Sequence, residues 1–206
     1  MFLEKIPAGA YAVNCYVVGD DKTSKAAVID PGGDVDKIIS VLENNDFELE
    51  YIILTHAHGD HIGGLMELRE KTGAPVYMHK NDLYMLKDSN INLSISINGK
   101  KIETEPDFFV NDGDILDLGD LKLSIIHTPG HTQGGICIQV DNILLSGDTL
   151  FANSIGRSDL DGGNHNQLID SIKNKLLILD EEITVLPGHG PATTIRIEKI
   201  TNPYVR

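Results

Sequence analysis

Residues 51–61 read Tyr51-Ile52-Ile53-Leu54-Thr55-His56-Ala57-His58-Gly59-Asp60-His61, a short apolar run that opens into three histidines and an aspartate. The apolar part has the length of a buried strand. Just beyond a strand the chain is still extended, so positions i and i+2 point to the same side. His56 and His58 can therefore hold one cation together, while Asp60 and His61 turn with the chain and can face a second. Packing does not explain such a run: imidazoles and a carboxylate in a core each need a partner or carry a desolvation cost.

Outward from this segment the same design recurs, with a strand end, a glycine turn and a ligand-type side chain. His131 lies in Thr128-Pro129-Gly130-His131-Thr132, Asp148 in Ser146-Gly147-Asp148-Thr149, and His189 in Leu186-Pro187-Gly188-His189-Gly190-Pro191. Each alone reads equally well as an ordinary turn residue. Together with the first segment they make five histidines and two carboxylates, a set that suits two divalent ions. His56, His58 and His131 fall to the first ion and Asp60, His61 and His189 to the second, and Asp148 can bridge through its two oxygens. Imidazole-rich sets favour zinc, with iron or manganese tolerated where carboxylates contribute.

The remaining sequence supplies alternating strands and helices. Strands are expected over 11–19, 25–30, 51–54 and 75–78, then in close succession over 115–118, 121–127, 135–140 and 143–146, and again over 183–186. Helical spacing marks 34–45, with Asp34 as its cap, a segment through Leu65 and Leu68 ending at Gly73, a short helix over 81–87, and 167–177. Pro191 is expected to open a last helix. Residues 88–109 show no period, and loops of that length are often functional. The pattern predicts an α/β fold of two sheets packed face to face with helices outside, formed by residues 1–206 as one domain.

The chain has 206 residues, 41% of them hydrophobic, and a formal net charge of −14. That charge disfavours nucleic acid or anionic membranes as partners. No basic–apolar leader and no long apolar span is visible, so a cytoplasmic protein is expected. Cys15 and Cys137 sit in strand-like apolar runs and read as buried free thiols. Nothing in the sequence fixes an oligomeric state.

The segment from Thr55 to His61 and the three later sites resemble the metallo-β-lactamase superfamily over essentially the whole chain. The resemblance implies an αββα sandwich of two mixed sheets, and places Asp30, in Val28-Ile29-Asp30-Pro31-Gly32-Gly33, behind the ligands as an orienting carboxylate. From the residues alone, Asp30 reads as the opening of a Pro-Gly turn. Asn14-Cys15-Tyr16, His127-Thr128-Pro129-Gly130-His131 and Ser146-Gly147-Asp148-Thr149-Leu150-Phe151 are similar to the glyoxalase II group. That likeness implies a thioesterase for glutathione-type or related 2-hydroxyacyl thioesters, working by attack of a metal-bound hydroxide, with Asp60 orienting the nucleophile.

Two features depart from the full-length pattern: a C-terminal glutathione-binding helical domain is not expected, and Gly156-Arg157-Ser158-Asp159 replaces the family's Gly-Lys-Phe-Tyr element. Arg157 can grip a substrate carboxylate or pair with Asp159. The same Gly-Arg-x-Asp element also resembles mononuclear-iron glutathione-persulfide dioxygenases, which gives an alternative reading, and a lactonase would use the same hydroxide chemistry. A β-lactamase is not expected, because the ligand pattern is of the thioesterase type. His127 reads as a donor behind the ligands or as a satisfied core residue, His79 as a non-ligand, and His165 as an exposed residue near a helix start.

Overall fold

The computed structural model describes residues Met1–Arg206. The first sheet holds β1 (Phe2–Ala8), β2 (Val13–Asp20), β3 (Lys25–Ile29), β4 (Glu48–Ile53), β5 (Val76–His79) and β6 (Phe108–Val110) in that order. Pairing is antiparallel from β1 to β3 and parallel from β3 to β6. The second sheet is built from β7 (Ile115–Leu118), β8 (Leu121–His127), β9 (Ile136–Val140), β10 (Ile143–Gly147), β13 (Thr184–Pro187) and β14 (Thr193–Thr194), in the order β14-β13-β10-β9-β8-β7. Here β10 and β13 are parallel and the other pairs antiparallel. A small hairpin, β11 (Leu150–Phe151) with β12 (Ser154–Ile155), follows β10.

Strand alternation builds the layers. In β2, Cys15 and Val17 face the outer helices while Tyr16 and Val18 face the other sheet. In β3, Ala26 and Val28 face outward and Ala27 and Ile29 inward. In the second sheet, Cys137 and Leu144 face their helices while Ile136, Ile138 and Leu145 face inward. Period-two side-chain geometry thus gives each sheet two apolar faces. Helices α1 (Val35–Asn44) and α2 (Leu65–Thr72) cover the first sheet through Val35, Ile38, Leu42, Leu65 and Leu68. Helix α5 (His165–Ser171), the π-helical turn Ile172–Leu176 and α6 (Ile195–Thr201) cover the second through Leu168, Ile172, Leu176 and Ile195. Each fully buried Leu or Ile contributes roughly 1.5–3 kcal/mol. The result is the αββα sandwich of two mixed sheets that the sequence predicts. No helix is long and apolar enough to cross a membrane.

Four local expectations are corrected. Asp34 stands before α1 in a left-handed conformation and makes no cap hydrogen bond; its carboxylate accepts from Gly9 N at 2.9 Å and pairs with Lys37 at 2.8 Å. Pro191 does not open the last helix: the chain first pairs as β14, and Thr194 then caps α6 by accepting from Ile197 N. Residues 88–109 are not a structureless loop, because α4 (Ser94–Asn98) forms within them and the segment ends in β6. The expected short helix at 81–87 is a 3₁₀ turn, Lys80–Asp82, running into α3 (Leu83–Leu86). Both cysteines are buried and free.

Candidate metal centre

Five loops leave strand C-termini at one end of the sandwich, where parallel strands generally present their sites. Asp30 follows β3, residues 55–61 follow β4, His131 follows β8, Asp148 follows β10, and His189 follows β13. Backbone bonds tie these loops together: Ile136 N donates to Thr55 O and Asn14 N to Gly188 O across the two sheets, and Gly188 N to Gly147 O within the second. The turn at Gly188 must lie close to the cluster, since a Cβ there would crowd the Asp148 carboxylate and come within 2.7 Å of His61 Cε1.

All seven sequence-predicted ligand positions converge. The ligand atoms of His56, His58 and His131 lie within 4.8 Å of one another, as do those of Asp60, His61 and His189. Asp148 sits between the two groups. Its Oδ1 is 3.4 Å from His61 Nε2, and its Oδ2 is 3.7 Å from His131 Nε2 and 3.8 Å from His189 Nε2. The remaining close pairs are His58 Nδ1 with His131 Nε2 at 3.0 Å, His56 Nε2 with His131 Nε2 at 3.3 Å, and His189 Nε2 with Asp60 Oδ2 at 3.1 Å.

The outer partners determine which ring nitrogens carry lone pairs. His131 Nδ1 donates to the Arg157 carbonyl at 2.7 Å, so its Nε2 bears the lone pair. Thr55 Oγ1 donates to Asp30 Oδ2 at 2.6 Å, so it accepts from His56 Nδ1 at 3.1 Å, and His56 Nε2 is also a lone pair. His61 Nδ1 donates to Asp30 Oδ2 at 2.8 Å, which turns its Nε2 toward the Asp148 carboxylate, a pairing that only a proton or a metal ion on Nε2 satisfies. Lone pairs thus face lone pairs and a carboxylate, an arrangement that repels itself unless a cation lies between. His61 Nε2, His58 Nε2 and Asp148 Oδ1 are all buried without a hydrogen-bond partner, and such orphans call for an ion. The donor set therefore fits divalent metal.

Electrostatics agree. Burial, followed by the neighbouring imidazoles, holds His56 well below the ordinary histidine value and His58 at about 3, which keeps both neutral. Burial opposes a charge on His61, yet Asp148, Asp30 and Asp60 outweigh it and raise its pKa. Burial likewise opposes ionised Asp148, and the surrounding histidines outweigh it and lower its pKa. This part of the cluster demands positive charge.

Asp30 lies against the ligand loop: besides His61 and the Thr55 hydroxyl, it accepts from Thr55 N at 2.7 Å. Sequence reasoning missed Asp82, which is fully buried and accepts from Ala57 N at 3.3 Å, Thr132 Oγ1 at 2.7 Å and Gly134 N at 2.5 Å. It pins the loop carrying His56 and His58 to the loop carrying His131. Also missed were the roles of Asn14 and Tyr16, which donate to the Pro187 carbonyl at 2.9 and 2.8 Å and hold the His189 turn.

His127 is not a donor behind the ligands. Its ring stacks on His79 at 3.8 Å and bonds the Gln133 carbonyl at 2.9 Å, so the satisfied-residue reading holds. His79 belongs to neither ligand group, and His165 is exposed at the start of α5. Arg157 borders the cavity over the cluster, with its guanidinium paired to Asp159 by two bonds of 2.8 Å.

The family model of the metallo-beta-lactamase superfamily matches residues 8–189. The chain is 39% identical to a probable metallo-hydrolase, YqgX, of Bacillus subtilis, covering 98% of this chain and 96% of that protein. It is 36% identical to the hydroxyacylglutathione hydrolase GloC of Haemophilus influenzae, covering 100% and 98%. Among solved structures, the BLEG-1 B3 metallo-beta-lactamase superposes with a TM-score of 0.92 at 38% identity, covering 99% of each chain. TTHA1623 in a di-iron-bound form gives 0.86 at 33%, covering 98% and 99%. ETHE1 from Myxococcus xanthus gives 0.82 at 31%, covering 98% of this chain and 84% of that one.

Proposed function

The chain belongs to the metallo-β-lactamase superfamily, and from that premise we propose that it is a binuclear metal hydrolase cleaving thioesters of 2-hydroxy acids with a glutathione-type or related thiol. The carrying observation is Asp148, whose two oxygens lie between two separate three-residue ligand groups. The likeness to a hydroxyacylglutathione hydrolase supports the substrate class.

His56, His58 and His131 would hold one ion, Asp60, His61 and His189 the other, and Asp148 both, with zinc the best match to the donors and iron or manganese compatible. Bound there, the ions would bring the pKa of water toward about 7 and polarise the scissile carbonyl. Asp60 lines the cavity beside His189 and on this reading would orient the attacking water. Asp30 fixes the His61 ring, and the Arg157 carbonyl fixes that of His131. No serine or cysteine nucleophile is required: Cys15 and Cys137 are buried, with burial raising both thiol pKa values, that of Cys137 to about 11.

A second reading, a mononuclear-iron oxygenase acting on persulfides, draws on the Arg157–Asp159 pair and the likeness to ETHE1. The complete Asp60, His61 and His189 group favours the binuclear hydrolase. Metal analysis of the purified protein, run beside thioester, lactone, cephalosporin and persulfide substrates with oxygen monitored, tests the proposal. Two metals per chain and thioester turnover without oxygen uptake are expected. One iron with oxygen consumption on a persulfide would reverse the choice.

A further inference from the structure

The cavity above the ligand cluster has a volume of about 280 Å³, and its non-ligand lining is Tyr11, Leu93, Ser96, Ile97, Arg157 and Leu160. That is below the ~300–1,000 Å³ usual for small-molecule sites. Four of these six side chains are hydrophobic, and the one cation among them, Arg157, is already paired by two 2.8 Å bonds to Asp159. A doubly carboxylated tripeptide thiol would meet apolar walls and no free positive charge. The net charge of −14 gives no attraction for an anion either.

The apolar wall is hydrogen-bonded directly to the ligand loop. Leu93 immediately precedes α4 and Ile97 lies on it, and Gly59, in the ligand loop itself, donates its N–H to Asn92 O at 2.6 Å and accepts from Asn98 Nδ2 at 2.6 Å. Asn92 is buried and its amide donates to the Met85 and Ile102 carbonyls at 3.0 and 2.9 Å. A Cβ on Gly59 would lie 2.7 Å from Ser94 Cα, which shows how closely α4 sits on the ligand loop. The same residues that seat the ligands therefore seat the wall.

We propose that the site is built for thioesters whose thiol arm is short, uncharged and largely apolar, received by Leu93, Ile97, Leu160 and Tyr11. This rests on the hydrolase reading and, within its thioester class, sets the glutathione arm aside in favour of a neutral one. The test uses the metal-loaded full chain and compares kcat/KM for lactoyl thioesters of glutathione and of the neutral thiol N-acetylcysteamine. The neutral arm should be preferred by about tenfold, on the scale of discrimination expected from apolar pockets. Asp159→Asn, at an exposed pair, frees the Arg157 guanidinium and should narrow that preference by about fivefold. Parity, a preference for the glutathione arm, or a ratio unmoved by Asp159→Asn would overturn the assignment. Calorimetric binding of the two corresponding thioethers separates the claims: neutral-arm binding without thioester turnover would sink the hydrolase reading alone, whereas tighter glutathione-arm binding would sink the pocket assignment alone.

Discussion

The Asp30 carboxylate lies 2.8 Å from His61 Nδ1, and the opposite nitrogen of that ring faces Asp148 Oδ1 at 3.4 Å. Asp30 thereby fixes both the tautomer and the aim of a ligand in the Asp60, His61 and His189 group. Asp30→Asn retains an acceptor for Thr55 N but sets amide hydrogens against the Thr55 hydroxyl and the His61 N–H. Metal affinity, read by chelator competition, should weaken by about 10–100-fold, with the far-UV spectrum kept. Unchanged affinity would show that His61 needs no orienting partner.

Removing a ligand is a harsher change. His58→Ala or Asp148→Ala should lose metal and nearly all activity while the fold survives, because the cores between and outside the sheets are built from other residues. The native protein should likewise lose thermal stability on chelation: an ion present at 100 times its dissociation constant adds about 2.7 kcal/mol. Full activity in either variant, or a melting temperature indifferent to chelator, would count against the metal centre.

Acid should destabilise the metal-free protein. His58, at about 3, His56 and His131 have folded pKa values below the ordinary 6.5, chiefly through burial. Below pH 6.5 the unfolded chain therefore takes up protons that the folded chain does not, and stability falls as pH drops toward about 4. His61, with its raised pKa, is protonated in both states across that window and cancels; its own contribution is lost only as pH rises. Each neutral histidine gives at most about 1.4 kcal/mol per pH unit. Urea midpoints of chelator-treated protein between pH 7 and 4 measure the slope, and a flat profile would contradict the buried neutral imidazoles.

The ligand set was legible because its signal is local. Residues 55–61 carry four ligand side chains on one strand end, and glycine turns mark the other three positions. The strands were legible because β2, β3 and β10, buried on both faces, read as short and nearly continuous apolar runs. The failures lie where tertiary contacts override local preference. Asp34 spends its carboxylate on Gly9 N and the Lys37 ammonium rather than on the free N–H groups of its helix. Pro191 precedes a two-residue strand that pairs with β13, which no local pattern shows. α4 is a single turn, too short to display a helical period, and its place is set by Gly59, more than thirty positions earlier. Asp82 has no motif at all, since its three partners come from 57, 132 and 134.

Asp82 gives the sharpest test of how the two ligand loops are held together. It is fully buried with no cation beside it, and burial raises its pKa to about 6 against three opposing hydrogen bonds. Its value therefore lies in geometry, bridging Ala57 N, Thr132 Oγ1 and Gly134 N. Asp82→Ala orphans all three donors, each at a cost of roughly 1–3 kcal/mol, and should lower both stability and metal occupancy at the His56, His58 and His131 group. Asp82→Asn keeps one acceptor, removes the buried charge, and lets the Thr132 hydroxyl turn to accept from the amide. It should restore most of the stability and part of the metal affinity. Cobalt substitution reads the distinction directly: the visible spectrum of the asparagine variant should resemble wild type more closely than that of the alanine variant. Identical cobalt spectra and affinities in all three proteins would confine Asp82 to a purely structural role.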